Sequence, residues 1–366
     1  MNKFVILLIL SLVYSQTHFS QQTIPMDTTN WDVTANAHLF ENYKGKDAVY
    51  LQGGLATLKD TKFINGTIEF DMYLDGRRGF PGIRFRRFDD VNSEYFYVRP
   101  HQSGNPDANQ ALSIFNRMAS WQLFHGPAYS VPYVYKVDDW THVKLVVNGK
   151  RAQVYFDHAE KPHLSWYLRH SPKEGNLSIG GSGAAVHYAD FKIDKQASEM
   201  VDFKVAETKP IPGIIKEWEI SDKFDESALT NTDGLPALIK ARKWINKIQT
   251  EENNAADIAR VTDRYGSDGN TVFAKLTVRS AKAQEKLFHF GYSDRVVLIL
   301  NGKPIYKGNN GFSTRDYRYL GTIGLFETVY LNLKQGKNEI LLAVSEDFGG
   351  WGVTAKFEDP QGIQLQ

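Results

Sequence analysis

The chain has 366 residues, of which 43 are basic and 42 acidic, and it contains no cysteine. A length of this order suggests about two domains. The net charge of +1 argues against nucleic acid or an anionic membrane surface as a partner, because both require a concentrated excess of Lys and Arg. Without cysteine there can be no disulfide, no thiolate metal site and no lipidated Cys. The 22 Phe, 18 Tyr and 29 Gly favour strands and turns, so the composition predicts an all-β protein.

The N-terminus has the layout of a secretory signal peptide. Met1-Asn2-Lys3 is a short basic start, an apolar run covers residues 4–13, and small and polar residues follow. We therefore predict a signal peptide over residues 1–20, with cleavage between Tyr14 and Gln21. No later segment approaches the length of a transmembrane helix. The expected location is secreted or periplasmic, with no membrane span.

Residues 24–195 are predicted to form a β-sandwich. Short runs of apolar residues at every second position recur between turn residues, as in Ile68-Phe70-Met72 and Val143-Leu145-Val147. Asn148-Gly149 predicts a type I′ hairpin turn, which needs positive φ at both positions. The following stretch is charged and less periodic and ends in Pro-x-Pro, so residues 196–213 are predicted to be a linker.

Residues 214–366 are predicted to form a second β-sandwich. Strand candidates are 272–278, 286–290, 295–300, 305–306, 328–333 and 339–344, and Asn301-Gly302 predicts another hairpin turn. Residues 236–260 combine some helical propensity with an Asn-Asn interruption, and we interpret them as strand and loop. The predicted fold class is thus all-β, with two β-sandwich (jelly-roll) domains in tandem.

A predicted hairpin around residues 82–99 carries the most informative side chains. If Phe88 lies opposite Tyr95, then Arg84 lies opposite Arg99, and the alternation collects arginine and tyrosine on one face. Flat aromatic rings and planar guanidinium groups suit sugar recognition. An ordinary solvent-facing sheet surface is the alternative. The residues expected to line a groove, including the polar loop that follows, are Arg84, Arg86, Tyr95, Tyr97, Arg99, His101, Asn105, Asp107, Gln110, Trp121 and Gln122.

Arginine is concentrated in this region. Six arginines lie between residues 77 and 99, and guanidinium groups match carboxylate and sulfate groups. The expected ligand is therefore a glycan that could be acidic or sulfated.

Catalysis would require a pair of carboxylates or an equivalent acid and base. Glu69 and Asp71 are two apart on one predicted strand and share a face, which suits a glycosidase pair. Sandwich glucanases carry Glu-x-Asp-x-Glu on such a strand, and here the third position is Tyr73. His101 and Asp107, with Glu94, are alternative candidates. Binding without catalysis is therefore favoured, and the catalytic residues stay undetermined.

The sequence offers one weak metal site and one ambiguous glycine-rich loop. Asp89, Asp90, Asn92 and Glu94 are oxygen donors near one turn that could bind Ca²⁺, although Asp and Asn more often stabilise such a turn through local hydrogen bonds. No zinc-hydrolase or nucleotide-binding motif occurs. Trp351, within a run of glycines, could be a stacking platform for a sugar or part of the core.

Several segments of the first domain resemble the concanavalin A-like lectin/glucanase superfamily in its laminin-G-like form. They are FINGTIEFDMYLD, GIRFRRFDDVNSEYFYVRP, DDWTHVKLVVNGKRAQVYFD and VHYADFKI. They are also similar to bacterial secreted domains related to the keto-disaccharide hydrolase group. The resemblance implies a jelly-roll sandwich with ligand on its concave face, lined by Arg84, Arg86, Tyr95, Tyr97 and Arg99. Through LNGKPIYKG and GGWGVTAKF, the second domain resembles jelly-roll accessory modules of glycoside hydrolases.

Three hypotheses about function follow. The leading one is an exported carbohydrate-binding protein that recognises a glycan in the arginine- and tyrosine-lined groove. The alternatives are a glycoside hydrolase acting on a di- or polysaccharide, and an adhesion or structural module that binds protein. The residues do not identify the glycan or the oligomeric state.

Overall fold

A computed structural model describes residues 21–197 and 199–366. The predicted signal peptide lies outside the described residues. Among these residues no helix is long and apolar enough to cross a membrane.

The strands of residues 22–194, which we call the first sandwich, are joined in antiparallel ladders. Their order is β11-β10-β9-β4-β13-β3-β12-β5-β6-β7-β8, with β1 beside β13 and β2 beside β3. The strands are β1 (Gln22–Thr23), β2 (Trp31–Tyr43), β3 (Lys46–Leu58), β4 (Gly66–Leu74), β5 (Gly82–Arg87), β6 (Ser93–Val98), β7 (Asn109–Phe115), β8 (Met118–Ala119), β9 (Asp139–Asn148), β10 (Arg151–Phe156), β11 (Leu164–Tyr167), β12 (Asn176–Gly181) and β13 (Val186–Asp194).

Strand β3 belongs to both layers of this sandwich. Its first half pairs with β13 and its second half with β12, and the change of partner occurs at Gly53 and Gly54. Both glycines have positive φ, and a Cβ on Gly54 would lie 2.1 Å from the carbonyl oxygen of Thr34. Glycine therefore permits the corner, because any side chain at Gly54 would collide with β2.

The two layers pack face to face around one apolar core. Phe96 of β6 lies 5.8 Å from Trp166 of β11 and 6.1 Å from Phe156 of β10, measured between ring centroids. Every second residue of β4 points into this core, and both Ile68 and Phe70 are fully buried. The period-2 pattern of the sequence thus marked the core side of the strands correctly.

The strands of residues 217–365, which we call the second sandwich, form two separate sheets. One has the order β15-β14-β17-β22-β19-β20 with β24 beside β17, and the other has the order β16-β23-β18-β21. The strands are β14 (Glu217–Ser221), β15 (Trp244–Gln249), β16 (Ala256–Asp257), β17 (Thr271–Ser280), β18 (Gln284–Ser293), β19 (Arg295–Leu300), β20 (Lys303–Asn309), β21 (Glu327–Leu333), β22 (Gly336–Ser345), β23 (Gly352–Phe357) and β24 (Ile363–Leu365).

The two sheets of the second sandwich also enclose an apolar core. Phe290 of β18 packs against Tyr306 of β20 at 5.3 Å between ring centroids, and Trp218 of β14 is fully buried. The predicted fold class, all-β with two jelly-roll sandwiches in tandem, is therefore confirmed by the sheets themselves.

The two hairpin turns differ in detail from each other. Asn301 and Gly302 both have positive φ, as a type I′ turn requires. At the other turn the sequence prediction was wrong by one residue. Asn148 ends β9 and pairs with Arg151, so the loop is Gly149-Lys150, in which only Gly149 has positive φ, as in a type II′ turn.

The interpretation of residues 236–260 as strand and loop was wrong at its start. A short helix, α1 (Leu235–Ala241), precedes β15, and single 3₁₀ turns cover Glu226–Thr230 and Ile258–Arg260. Pro236 stands in the first turn of α1, where its missing N–H costs nothing.

The predicted register of the β5–β6 hairpin was also wrong, by four residues. Arg84 lies opposite Tyr95, and Gly82 lies opposite Tyr97, so Arg84 and Arg99 do not oppose each other. The connection is longer than expected because the Asp89 carboxylate accepts hydrogen bonds from the backbone of residues 91 and 92 and holds them in a turn.

Candidate functional site

The arginine–tyrosine face, defined by Arg84, Tyr95, Tyr97 and Arg99, is the outer surface of β5–β7. Tyr97 donates a hydrogen bond to Gln110 Oε1 at 2.6 Å, and Arg99 donates to the Tyr97 hydroxyl at 2.8 Å. Arg99 also donates to the carbonyl oxygen of Asp107 at 2.9 Å. Tyr97 and Arg99 are 5% and 8% exposed. These side chains satisfy one another and leave few groups for a ligand.

Arg86 does not lie on this face, so its predicted place in the groove was wrong. Its φ of 48° marks an irregularity in β5 that turns the side chain to the opposite side. There the buried guanidinium donates to the carbonyl oxygens of Ile64 at 2.6 Å and Gly149 at 2.7 Å, and to Asn65 Oδ1 at 3.1 Å. Arg86 thus ties β5 to two turns of the first sandwich.

The face is closed over by residues 116–130, which we call the covering segment. Leu123, Phe124 and Tyr129 of this segment pack on Tyr95, Tyr97 and neighbouring residues of β7, and Ala255 and Ile323 of the second sandwich join the same buried cluster. The open groove that the sequence predicted is therefore occupied by the protein itself.

Gln122, which the sequence placed in the groove, joins the two sandwiches. It is fully buried, donates to the carbonyl oxygen of Leu320 at 2.8 Å and accepts a hydrogen bond from Ser293 at 2.8 Å. Nearby Ser120 donates to Asp257 at 3.1 Å, again across the interface. The role of Gln122 in this structure is to hold the interface together.

Arg84 is the one member of the arginine–tyrosine face whose charged group has no partner. Its guanidinium carbon lies 5.3 Å from the centre of the Tyr95 ring. Across the described ranges 21–197 and 199–366 it forms no ion pair, and its buried Nε makes no hydrogen bond. Burial lowers the pKa of this guanidinium. Arg84 is thus a half-buried cation without an ionic partner among the described residues.

The polar loop after β6 contributes one half-buried ring and several exposed groups. His101 contacts the Phe80 ring edge-on at 5.4 Å, and burial lowers its pKa. Asn105 donates to Gln102 at 2.7 Å and is exposed. Asp107 is held through its backbone, because its carbonyl oxygen accepts a hydrogen bond from Arg99. No hydrogen bond among the described residues joins His101 to Asp107 as an acid–base pair would need.

Glu69 and Asp71 do share the outer face of β4, as predicted, but they lie on either side of an imidazole. His142 of β9 places Nδ1 2.6 Å from Asp71 Oδ1 and Nε2 3.2 Å from Glu69 Oε2. Lys46 adds an ion pair to Asp71 and another, at 2.7 Å, to Asp190.

The ionisation of this cluster leaves neither carboxyl group protonated to act as the general acid of a glycosidase. The hydrogen bond from His142 lowers the pKa of Glu69 to about 2. Burial would raise the pKa of Asp71, but hydrogen bonds from His142 and Lys46 outweigh it and lower that pKa. A glycosidase acid needs a raised pKa. Glu69 and Asp71 are thus better described as partners in an ion network than as catalytic residues.

The proposed Ca²⁺ ligands do not converge. Asp89 caps its own turn, Asp90 lies 3.6 Å from Arg87, and Asn92 donates to Asp89. Glu94 is fully buried on the core side, where it accepts hydrogen bonds from Ser113 and the His170 amide. No group of three or more Asp, Glu or His in the described part of the chain could hold a metal ion.

The second sandwich carries an open polar cavity of about 700 Å³, which sequence reasoning missed. Its walls come from the loop of residues 264–270, the 3₁₀ turn after β14, the start of β19, Lys307 of β20 and Asp347, which follows β22. These segments are far apart in the chain, and neither a motif nor a periodic pattern joins them. This volume is in the range of small-molecule sites, roughly 300–1,000 Å³.

Arg295 organises the charges in this cavity. It donates to both carboxylate oxygens of Glu226 at 2.8 and 2.6 Å, and to Asp347 at 2.6 Å. The hydrogen bond from Arg295 lowers the pKa of Asp347. Two other cations of the wall, Arg264 and Lys307, form no ion pair with any described residue. The cavity therefore presents fixed carboxylates together with two cations that form no ion pair among the described residues.

Two aromatic residues directly follow wall residues of the cavity in the chain. Phe348 follows Asp347 and is 51% exposed, and Tyr265 follows Arg264 and is 38% exposed. Phe348, Phe312 and Trp121 form an aromatic triad with ring centroids 5.6–6.3 Å apart. Trp121, a predicted ligand residue, thus meets the second sandwich. Trp351 is fully buried and donates to the Val344 carbonyl oxygen, so it belongs to the core.

Neither a protein-family model nor a curated protein matches this chain. Solved structures that are similar to part of this chain include the carbohydrate binding module CBM66 from Bacillus subtilis, with 17% identity and a TM-score of 0.35, covering 46% of this chain and 100% of that one. The β-glucanase of Bacillus licheniformis is 11% identical with a TM-score of 0.33, covering 48% and 98%. An apo Crh5 transglycosylase is 15% identical with a TM-score of 0.37, covering 48% and 84%. These similarities identify no residue of the site.

Proposed function

We propose that the protein binds carbohydrate in the cavity of the second sandwich, with Phe348 and Tyr265 as its apolar partners. One observation carries this proposal. A polar cavity of about 700 Å³ has wall residues, Asp347 and Arg264, that are each followed in the chain by an exposed aromatic residue. Sugars present hydroxyl groups on their edges and C–H groups on their faces, so they require both kinds of contact.

The polar groups of the wall include both donors and acceptors. Asn270, Ser227, Thr230 and Ser267 supply amide and hydroxyl groups, while Asp347 supplies a carboxylate. Two of these groups are held in place: the side-chain amide of Asn270 donates to Asp347 at 2.9 Å, and the Thr230 hydroxyl donates to the carbonyl oxygen of Ser227 at 2.7 Å. Preorganised groups of this kind lose little entropy when a ligand binds.

Binding, rather than hydrolysis, is the function this arrangement supports. Glu69 and Asp71 are ionised partners of His142, and His101 and Asp107 do not form a pair. The acids of the cavity are also committed, since Glu226 and Asp347 both accept hydrogen bonds from Arg295. We further propose that the protein works outside the cytoplasm, on the strength of the signal peptide predicted over residues 1–20.

The test is a screen of oligosaccharides followed by isothermal titration calorimetry. Phe348→Ala and Tyr265→Ala should each weaken binding about tenfold, equivalent to about 1.4 kcal/mol. Tyr330→Ala is the matched control, because Tyr330 is 67% exposed on β21 and does not line the cavity. Absence of any oligosaccharide ligand, or equal affinity for the Phe348 and Tyr330 variants, would contradict the proposal.

A further inference from the structure

The loop of residues 346–350, which we call the 346–350 loop, carries two residues of the proposed site. Asp347 belongs to the cavity wall, and Phe348 is the exposed aromatic residue that follows it. Both are exposed, whereas Glu346 and Gly350 at the two ends of the loop are buried. The position of the two outer side chains therefore depends on the contacts that hold the loop on its buried side.

Two buried carboxyl groups hold this loop through its backbone amides. Asp294 Oδ2 accepts a hydrogen bond from the amide of Asp347 and another from the amide of Phe348, both at 2.9 Å. Glu346 Oε1 accepts one from the amide of Gly350 at 3.0 Å. Asp294 and Glu346 are 2% and 1% exposed. Both ends of the loop are thus bound by carboxyl oxygens in the protein interior.

The two carboxyl groups differ in the donors they receive. Two N–H groups converge on one oxygen of Asp294, and Arg295 follows it in the chain, so this carboxyl group is suited to be ionised. Glu346 receives one N–H group, and its buried Oε2 has no hydrogen-bond partner. A buried carboxylate with an unpartnered oxygen costs more than a protonated carboxyl group, so Glu346 is suited to be protonated.

The charges around the two groups favour the same assignment. Burial raises the pKa of Glu346 well above its ordinary value, and the charges of Asp294 and Asp347 raise it further, while Arg264 lowers it. Burial also raises the pKa of Asp294, with a smaller contribution from Asp347, but the two amides and Arg295 act in the opposite direction. The proton is therefore held by Glu346 and the charge by Asp294.

The covering segment of the first sandwich contacts the same loop with groups that do not titrate. The Gln122 amide donates to the carbonyl oxygen of Gly349 at 3.0 Å. Gln122 Oε1 accepts a hydrogen bond from Ser293, the residue before Asp294. A Cβ on Gly349 would lie 2.3 Å from Gln122 Cδ, and a Cβ on Gly350 would lie 2.8 Å from Ser120 Cα. The loop is thus packed between Gln122 and the two carboxyl groups.

We propose that Asp294, as an ionised carboxylate, and Glu346, as a protonated carboxyl group, position the 346–350 loop for ligand binding. Asp294 holds Asp347 and Phe348, and Glu346 holds Gly350. This inference rests on the proposed function, because it assigns the residues that position one wall of the same cavity. Both are positioning residues, since both are buried beneath the loop.

The first experiment measures amide hydrogen exchange by NMR without any sugar. Asp294→Asn and Glu346→Gln are matched variants, since each replaces a carboxyl group by an amide of the same shape. At pH 7, Asp294→Asn should speed exchange of the Asp347 and Phe348 amides about tenfold, because a hydrogen bond to a charged group is the stronger one. Glu346→Gln should change exchange of the Gly350 amide by less than about twofold, because glutamine replaces a neutral acceptor. Equal effects of the two variants would overturn the inference.

The second experiment compares urea unfolding of the wild type and Glu346→Gln between pH 5 and pH 8. When folding raises the pKa of an acid, the folded protein keeps a proton that the unfolded chain releases, so the contribution to stability is lost as the pH rises. The folding equilibrium constant of the wild type, relative to that of the variant, should fall about tenfold per pH unit while Glu346 is protonated only in the folded protein. A ratio that does not change with pH would overturn the protonated state of Glu346.

Calorimetry with the oligosaccharide found in the screen connects the loop with binding. At pH 7, Asp294→Asn should weaken binding about tenfold, while Glu346→Gln should retain the affinity of the wild type. If Asp294→Asn does not fold, exchange of the Asp347 and Phe348 amides in the wild type replaces it, and their protection should decrease as the pH falls and Asp294 is protonated.

Unchanged affinity in Asp294→Asn, or protection of the Asp347 and Phe348 amides that does not depend on pH, would overturn the positioning role and leave carbohydrate binding intact. Failure of every sugar to bind would overturn the proposed function, whereas amide exchange and unfolding would still decide the ionisation of Asp294 and Glu346.

Discussion

Replacing His142 with glutamine should destabilise the first sandwich in a strongly pH-dependent way. Burial alone would lower the pKa of His142, but its hydrogen bonds to Asp71 and Glu69 raise that pKa to about 9, from 6.5. At about 1.4 kcal/mol for each unit, the imidazolium contributes about 3 kcal/mol to the free energy of unfolding. The side chain is 10% exposed, so solvent screens this contribution little.

The sign of the pH dependence follows from the direction of the shift. A pKa raised by folding stabilises the protein fully below the unfolded value of 6.5, and the contribution is lost as the pH rises through about 9. Glu69 behaves in the opposite way: its contribution is present above 4.5 and is lost as the pH falls toward about 2. The cluster therefore contributes most between these limits, from about pH 4.5 to 6.5.

The assay is urea unfolding of the wild type and His142→Gln at pH 6 and pH 10. The difference in free energy should be about 3 kcal/mol at pH 6 and much smaller at pH 10. His38→Gln is the control, because His38 is exposed and forms no ion pair with a described carboxylate. A difference that stays the same at both pH values would refute the assignment of a charged His142 between two carboxylates.

Two further outcomes test the framework around the site. Gly54→Ala should lower the free energy of unfolding by about 3 kcal/mol in thermal unfolding, because its φ is 95° and the new Cβ would collide with Thr34 O. Gly45→Ala is the control. Its Cβ would have no atom within 4 Å, so this variant should lose only the smaller amount due to backbone strain. Gln122→Ala should loosen the interface by about 2 kcal/mol, since it removes the two hydrogen bonds that the buried Gln122 side chain makes to Leu320 O and Ser293 Oγ, each worth about 1 kcal/mol. Limited proteolysis of residues 199–213 should then be faster, and an unchanged rate would argue against the role given to Gln122.

Local patterns were sufficient to predict the strands and the core. Ile68, Phe70 and Met72 alternate in the sequence and are fully buried in the structure. Asn301-Gly302 forms the turn its residues require. These features depend on neighbours in the chain, and a period of two residues specifies which side of a strand is buried.

The arginine–tyrosine face shows where such reasoning stops. The alternation of side chains along a strand placed Arg84, Tyr95 and Tyr97 on one side correctly. An irregularity at Arg86, however, turns the Arg86 side chain to the other side. Nothing in the local pattern indicated that the covering segment would bury the tyrosines. Its Leu123 and Phe124 follow no strand period, and their packing depends on the position of the second sandwich.

The cavity could not be predicted for a related reason. Glu226, Arg264, Arg295 and Asp347 meet only because the sheet order of the second sandwich brings the ends of β14, β19 and β22 together. A single sequence without recognised motifs contains no local signal that these four residues lie together in the structure.

A crystal structure of the protein with a bound oligosaccharide tests the central claim most directly. The account predicts the sugar in the cavity of the second sandwich, with a ring against Phe348 or Tyr265. A sugar bound instead on the outer face of β4 and β9, beside Glu69 and His142, would contradict it.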